Sequence, residues 1–288
     1  MYELETIVPK YSDSDINDLD NEDKLVEASV ELLKQTIHLL WIITGLRYCN
    51  EEGNSNRISK DEAVVGGNLV RLIKLTTSFL ENICNGKSEI AFIINRCIAE
   101  TFINLKYMLI EGEERVKRNY IKHSLITEKD LWNTIKENVS KRNGDTLPIE
   151  ERMKRSIEKS FDSSDFDIDE VNSSSKWKSI SSRAEKVAST EFYDIFYGLA
   201  SHSVHGNWQD ILFNHLKRKE DQFLLNLTYI RPRPQILDGA IILNLRITEI
   251  FTKTELVNSK LKDSIIDKCV LLSKYHEKLA TRHESTME

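Results

Sequence analysis

Apolar positions along this chain recur mostly at intervals of three and four, the spacing that gathers them on one face of an α-helix. From about residue 21 to Cys49 the series Leu25, Leu32, Leu33, Leu40 and Ile43 predicts a first long helix. A polar loop containing Gly53 follows. Ser59 with Glu62 three residues later is a capping-box pattern, so a second helix starts there, runs through Leu69, Leu72, Ile73 and Leu80, and stops at Gly86. The most apolar segment, from Ser88 to Gly112, predicts a third helix. Residues 113–143 predict a fourth, ended by Asn143-Gly144, and Pro148 suits the first position of a short charged helix over 149–161. Residues 177–188 form an amphipathic segment leading into 189–215, where Phe192, Ile195, Phe196 and Leu199 keep helical spacing up to Gly206. Beyond Lys217-Arg218-Lys219 the run LLNLTYIRPRP carries two prolines and predicts an extended crossover. Helix resumes from Gln235 to about Leu279, as two helices meeting near Asn258.

The expected architecture is therefore an all-α, single-domain helical bundle of about seven to nine helices spanning residues 21–283. Residues 1–20, with Asp13, Asp15, Asp18 and Asp20, are expected to form an acidic arm that is mobile or loosely docked, and 161–176 a flexible acidic loop inside the bundle. Only 10 Gly and 4 Pro in 288 residues suit long helices better than many short strands. Gly66-Gly67 lacks the rest of a phosphate loop, and close helix packing is its expected use.

Composition narrows the function classes. A formal charge of −6 gives no strong global attraction to nucleic acid or anionic membrane. Cys49, Cys84, Cys97 and Cys269 form no close pair, so reduced thiols and a cytoplasmic setting are expected rather than a disulfide framework or zinc knuckle. The acidic N-terminus shows no signal-peptide pattern, and the apolar run from Ile37 to Leu46 is about half the roughly 20 residues a membrane span needs. No membrane partner is expected.

Candidate chemistry sits on two helices. Arg96, Glu100, Asn104 and Tyr107 are spaced four, four and three apart, forming one polar stripe on the apolar 88–111 helix. His202 and His205, three apart, share a face of the 189–205 segment. Polar stripes on apolar helices are stable only where they meet each other or water, so the two are expected to face across a shared cleft. If that cleft is catalytic, His205 is the acid or base, Arg96 holds a phosphate and Glu100 orients the Arg. If it is structural, the same residues fix the helix register. A metal held by His202 and His205 with Glu100 or Asp210 lacks a third ligand fixed by spacing, and no cofactor is called for. Arg118 and His123 have the spacing of an Arg–His ribonuclease pair, which arises by chance about once in a chain of this composition. Arg118 and Lys122, with Lys217 and Arg218, are candidate contacts to a nucleic-acid backbone; ordinary solvated helix faces account for them as well.

Three stretches carry a family resemblance: the helix with Arg96 and Glu100 followed by EGEERVKRNYIKHSL, the segment Trp177-Lys-Ser-Ile-Ser-Ser-Arg183-Ala-Glu, and Tyr197-Gly-Leu-Ala-Ser201-His-Ser-Val-His205-Gly206-Asn-Trp208. Over roughly residues 60–215 the chain resembles a group of bacterial all-helical proteins of unknown function, loosely akin to HEPN-like helical domains. The resemblance implies a HEPN-like core, dimerisation through helices, and a setting among toxin or antiphage systems. It implies a metal-independent ribonuclease acting on RNA or, alternatively, a non-catalytic helical module that binds another defence protein. Tyr197 is a candidate site residue by that likeness. Relatives carry an Arg just after this Tyr; here Gly198 stands there, so Arg96 would have to supply the guanidinium.

Overall fold

The computed structural model describes residues 4–171, 176–187, 197 and 203–287. The chain is an all-α protein. Seven helices of 17 to 28 residues are found among the described residues: α2 (Glu22–Tyr48), α3 (Lys60–Cys84), α4 (Ser88–Glu111), α5 (Glu114–Lys141), α6 (Pro148–Ser164), α8 (Pro234–Glu255) and α9 (Lys262–Met287). Two short ones, α1 (Asp13–Asn17) and α7 (Ile180–Val187), complete the set used below. The described strands are one antiparallel hairpin, β1 (Leu216–Lys219) with β2 (Gln222–Leu225).

The helix boundaries follow the local signals. At the start of α3, Glu62 accepts from the Ser59 backbone N–H (3.0 Å) while Ser59 Oγ accepts from the Glu62 N–H (3.3 Å), closing the capping box. Pro148 opens α6 and Pro234 opens α8, where the missing N–H is no loss. After α5 the chain turns through Asn143 (φ 57°) and Gly144 (φ 92°), a left-handed pair that stops the helix. Gly66 has a packing role, because a Cβ there would lie 3.1 Å from the Tyr48 ring; Gly67 meets nothing comparable.

The chain divides into two compact units: residues 1–58, 65–110 and 180–288 in the first, 59–64 and 111–179 in the second. In the first, α8 packs on both α2 and α9. Leu32, Leu33, Leu40 and Ile43 of α2, Ile241, Leu243 and Phe251 of α8, and Leu272 of α9 are fully enclosed. Asn244 Nδ2 donates to Thr36 Oγ1 (3.1 Å) inside this core, so one polar pair fixes the α2–α8 register. In the second, α5 and α6 close over Leu125, Ile135, Ile157, Phe161, Phe166 and Val171.

Two sequence expectations change. Residues 4–20 are docked: Leu4, Ile7, Ile16 and Leu19 are buried, Lys278 pairs with Asp13 (2.5 Å), and Arg282 donates to the Leu19 carbonyl (2.8 Å). Asp13 meets the basic side of α9 while four apolar anchors go inward. Residues 161–171 of the expected 161–176 loop are likewise not a plain loop, and 172–175 lie outside the described residues. α6 continues to Ser164, Ile168–Glu170 form a 3-10 turn, and Phe161, Phe166 and Val171 alternate with the acidic residues to reach the core. Among the described residues only α3 is long and apolar enough to cross a membrane; 44% of its most apolar window is buried, including Leu69, Leu72, Ile73 and Phe79.

Candidate functional site

Arg96 lies on α4 in the first unit, half-buried, among residues that are otherwise apolar. Its guanidinium makes two side-chain contacts. Nη1 lies 3.2 Å from His205 Nε2, and Nη2 donates to the Tyr197 hydroxyl at 2.8 Å. The guanidinium carbon also sits 4.4 Å from the Tyr197 ring centroid, a cation–π arrangement that holds the planar group in place. A guanidinium has only donors, so in this pairing His205 Nε2 accepts and the ring proton belongs on Nδ1.

His205 is exposed, at the end of a short helical run over residues 203–205. Gly206, with φ +56°, takes the left-handed conformation that ends it. Asn207 then caps the next turn, its Oδ1 accepting from the Asp210 N–H (3.2 Å). That turn leads through a π-helical stretch, Ile211–His215, into β1. Three of the four residues of the α4 stripe find a partner in the same unit. Arg96 meets Tyr197 and His205, Asn104 accepts from the buried Arg183 of α7, and the Tyr107 ring lies 5.8 Å from Lys186 Nζ.

Glu100 is the exception. It forms no ion pair with Arg96, and the Tyr197 hydroxyl takes the place expected for its carboxylate on the guanidinium. The i,i+4 spacing allowed that pair, but the arginine reaches across to Tyr197 and His205. His202, the second expected histidine, lies outside the described residues, as do Gly198 and the apolar positions 192, 195, 196 and 199.

The candidate backbone-binding residues fall in different units. Lys217 and Arg218 are exposed on β1 in the first. Arg118 and Lys122 belong to α5 in the second, where the Arg118 guanidinium stacks 4.5 Å over Phe166 and makes no hydrogen bond to His123. Sequence spacing did not reveal the Asp210–His215 pair. Asp210 is buried, lies 3.4 Å from His215 Nε2, and accepts from Asn214 Nδ2 at 2.8 Å. The only signal was an i,i+5 interval, which an α-helix would separate and a π-turn aligns. With Asp210 engaged there, the described carboxylates offer no cluster for a metal beside His205.

No curated protein and no solved structure matches the chain. One family does, over residues 62–223, a span that includes Arg96, Tyr197 and His205 and more than half of the sequence. The chain belongs to the family of unknown function DUF5677.

Proposed function

We propose that this protein is a metal-independent endoribonuclease, an effector of a bacterial toxin or antiphage system, with Arg96 and His205 as its working pair. One observation carries the reading: an exposed imidazole held 3.2 Å from a guanidinium that Tyr197 also fixes. These are the two groups that cleavage of an RNA phosphodiester needs. Once a substrate phosphate draws the Arg96 guanidinium off His205, the freed Nε2 takes the proton of a 2′-hydroxyl as O2′ bonds to phosphorus; the bond to the 5′-oxygen breaks and the imidazolium returns the proton to it. Arg96 holds the non-bridging oxygens as charge develops. Tyr197 positions the guanidinium in the role first expected of Glu100. Lys217 and Arg218, exposed in the same unit, suit the RNA backbone on either side.

Cleavage of a mixed-sequence RNA in the presence of chelator tests this. His205→Ala and Arg96→Ala should each lower the rate by about 100-fold or more. His205→Ala should leave the melting temperature nearly unchanged because His205 is exposed, and circular dichroism checks the fold of Arg96→Ala, whose half-buried guanidinium also holds Tyr197. Absence of cleavage by the unaltered chain, or cleavage that survives both substitutions, would refute it. The second reading is a non-catalytic helical subunit that docks on another defence protein. The observation in its favour is the exposed apolar hairpin, with Leu225 and Leu227 turned to solvent. On that reading both substitutions leave complex formation intact.

A further inference from the structure

The β1–β2 hairpin exposes more apolar surface than its own two strands can cover. Leu225 is 77% exposed, Leu227 just beyond it 91%, and Phe213 just before β1 70%. The register pairs Leu216 with Leu225 and Arg218 with Phe223, so these four share one face, with Arg218 as its single cation, while Lys217 and Leu224 lie on the other. Trp208 meets the Phe223 ring edge-on, with centroids 5.8 Å apart. The Asn226 N–H donates to the His215 carbonyl (2.8 Å), which extends the ladder past the strand ends. Trp208, Phe213, Phe223, Leu225 and Leu227 thus project from one small module, with Leu224 on its opposite face. At about 150–250 Å² for a whole aromatic side chain, and somewhat less for leucine, the exposed fractions of these five amount to roughly 650 Å². The largest apolar patch on a typical monomer is about 300–600 Å², and a standard interface takes about 800 Å² from each partner. The patch is of interface size.

The two edges of the hairpin indicate what covers it. β1 reads Leu-Lys-Arg-Lys, and three successive cations set against their own copies would repel. β2 reads Gln-Phe-Leu-Leu, with no charge and no proline, and all four residues are exposed. Among the described residues β1 is its only strand neighbour. An uncharged antiparallel edge is complementary to itself about a two-fold axis, each copy supplying N–H and C=O groups to the other. We propose that two copies of this chain dimerise through β2, giving a four-stranded sheet in the order β1-β2-β2-β1 in which Phe223, Leu225 and Leu227 of the two copies pack side by side at the centre. The argument rests on the hairpin alone and is independent of the Arg96–His205 chemistry.

Light scattering on the full chain across a concentration series tests it. The unaltered protein should give a mass about twice 33.4 kDa. Leu225→Arg, at a side chain that leaves the monomer's own packing intact, should return the mass to a single chain with its helical circular dichroism unchanged. A monomer at every concentration leaves the patch to another occupant and overturns the proposal, as does a dimer that survives Leu225→Arg. If that variant loses its helical signal, hydrogen exchange on the unaltered chain decides. Protection of residues 222–227 that rises with concentration supports the β2 interface; protection that does not change overturns it.

Discussion

Replacing Asn104 with leucine isolates what the polar stripe of α4 contributes to stability. Arg183 is 5% exposed, and its guanidinium donates to the Asn104 side-chain carbonyl. Leucine has nearly the same size and no acceptor. A hydrogen bond to a charged group is worth about 1.5–3 kcal/mol. Arg183 makes a further interaction beyond this bond, so the loss is taken as that of one charged bond. Leucine at this buried position returns up to about 1 kcal/mol through apolar burial, leaving a net destabilisation of about 1–2 kcal/mol. For a unit of this size that lowers the melting temperature by roughly 2–8 °C. Thermal and urea unfolding followed by circular dichroism give the number. The double substitution Asn104→Leu/Arg183→Met removes donor and acceptor together, and should be more stable than the sum of the two single changes by about 1 kcal/mol or more. A single variant as stable as the unaltered chain, or a strictly additive cycle, would show that the stripe does not act through this bond.

Three further outcomes follow from burial. Burial pushes the Cys269 thiol up from an ordinary value of 9.0 to about 12, and the Tyr275 hydroxyl from 10.0 to about 12. The unfolded chain loses these protons first, so stability should fall as pH rises from about 9 toward 12, and Cys269→Ala should flatten that fall in urea melts. At pH 8 a thiol reagent should label exposed Cys84 well before Cys269, as read by mass spectrometry. Phe161→Ala, at a side chain 2% exposed in the α5–α6 core, should cost about 3–5 kcal/mol and speed hydrogen exchange over residues 148–171; unchanged exchange there would mean the segment is not held by its apolar anchors.

The helices were legible because their signals are local. Ser59 and Glu62, Asn143-Gly144, Pro148 and the Ser88–Gly112 run each act within a few residues, and the structure puts helix boundaries at all of them. The pairing of Arg96 with His205 was legible for a different reason: a polar residue on an apolar helix must be met by something, and few polar groups were on offer. What failed was the choice among partners. Glu100 lay nearest in sequence to Arg96, but Tyr197 and His205 arrive from elements about a hundred positions away. Over residues 4–20 and 161–171 mean acidity misled because it hid Ile7, Ile16, Phe161 and Val171, each a single apolar residue placed where the core could take it. The exposed β2 strand and the π-turn that aligns Asp210 with His215 left no periodic signature at all.

The way the two units share the chain sets an order for its folding. Apart from residues 59–64, the second unit is one continuous stretch, and its α5–α6 core joins neighbours along the sequence. The first is assembled from three separated pieces, and the Thr36–Asn244 bond in its core joins residues 208 positions apart. Local contacts form quickly, whereas distant ones wait for a long loop to close. On a ribosome the second unit can therefore fold as soon as residue 179 is free. α2 must stay without its main packing partner until α8 has been made, its leucines and isoleucines open to the wrong contacts for most of synthesis. Aggregation of truncated or slowly translated chains should accordingly begin at α2.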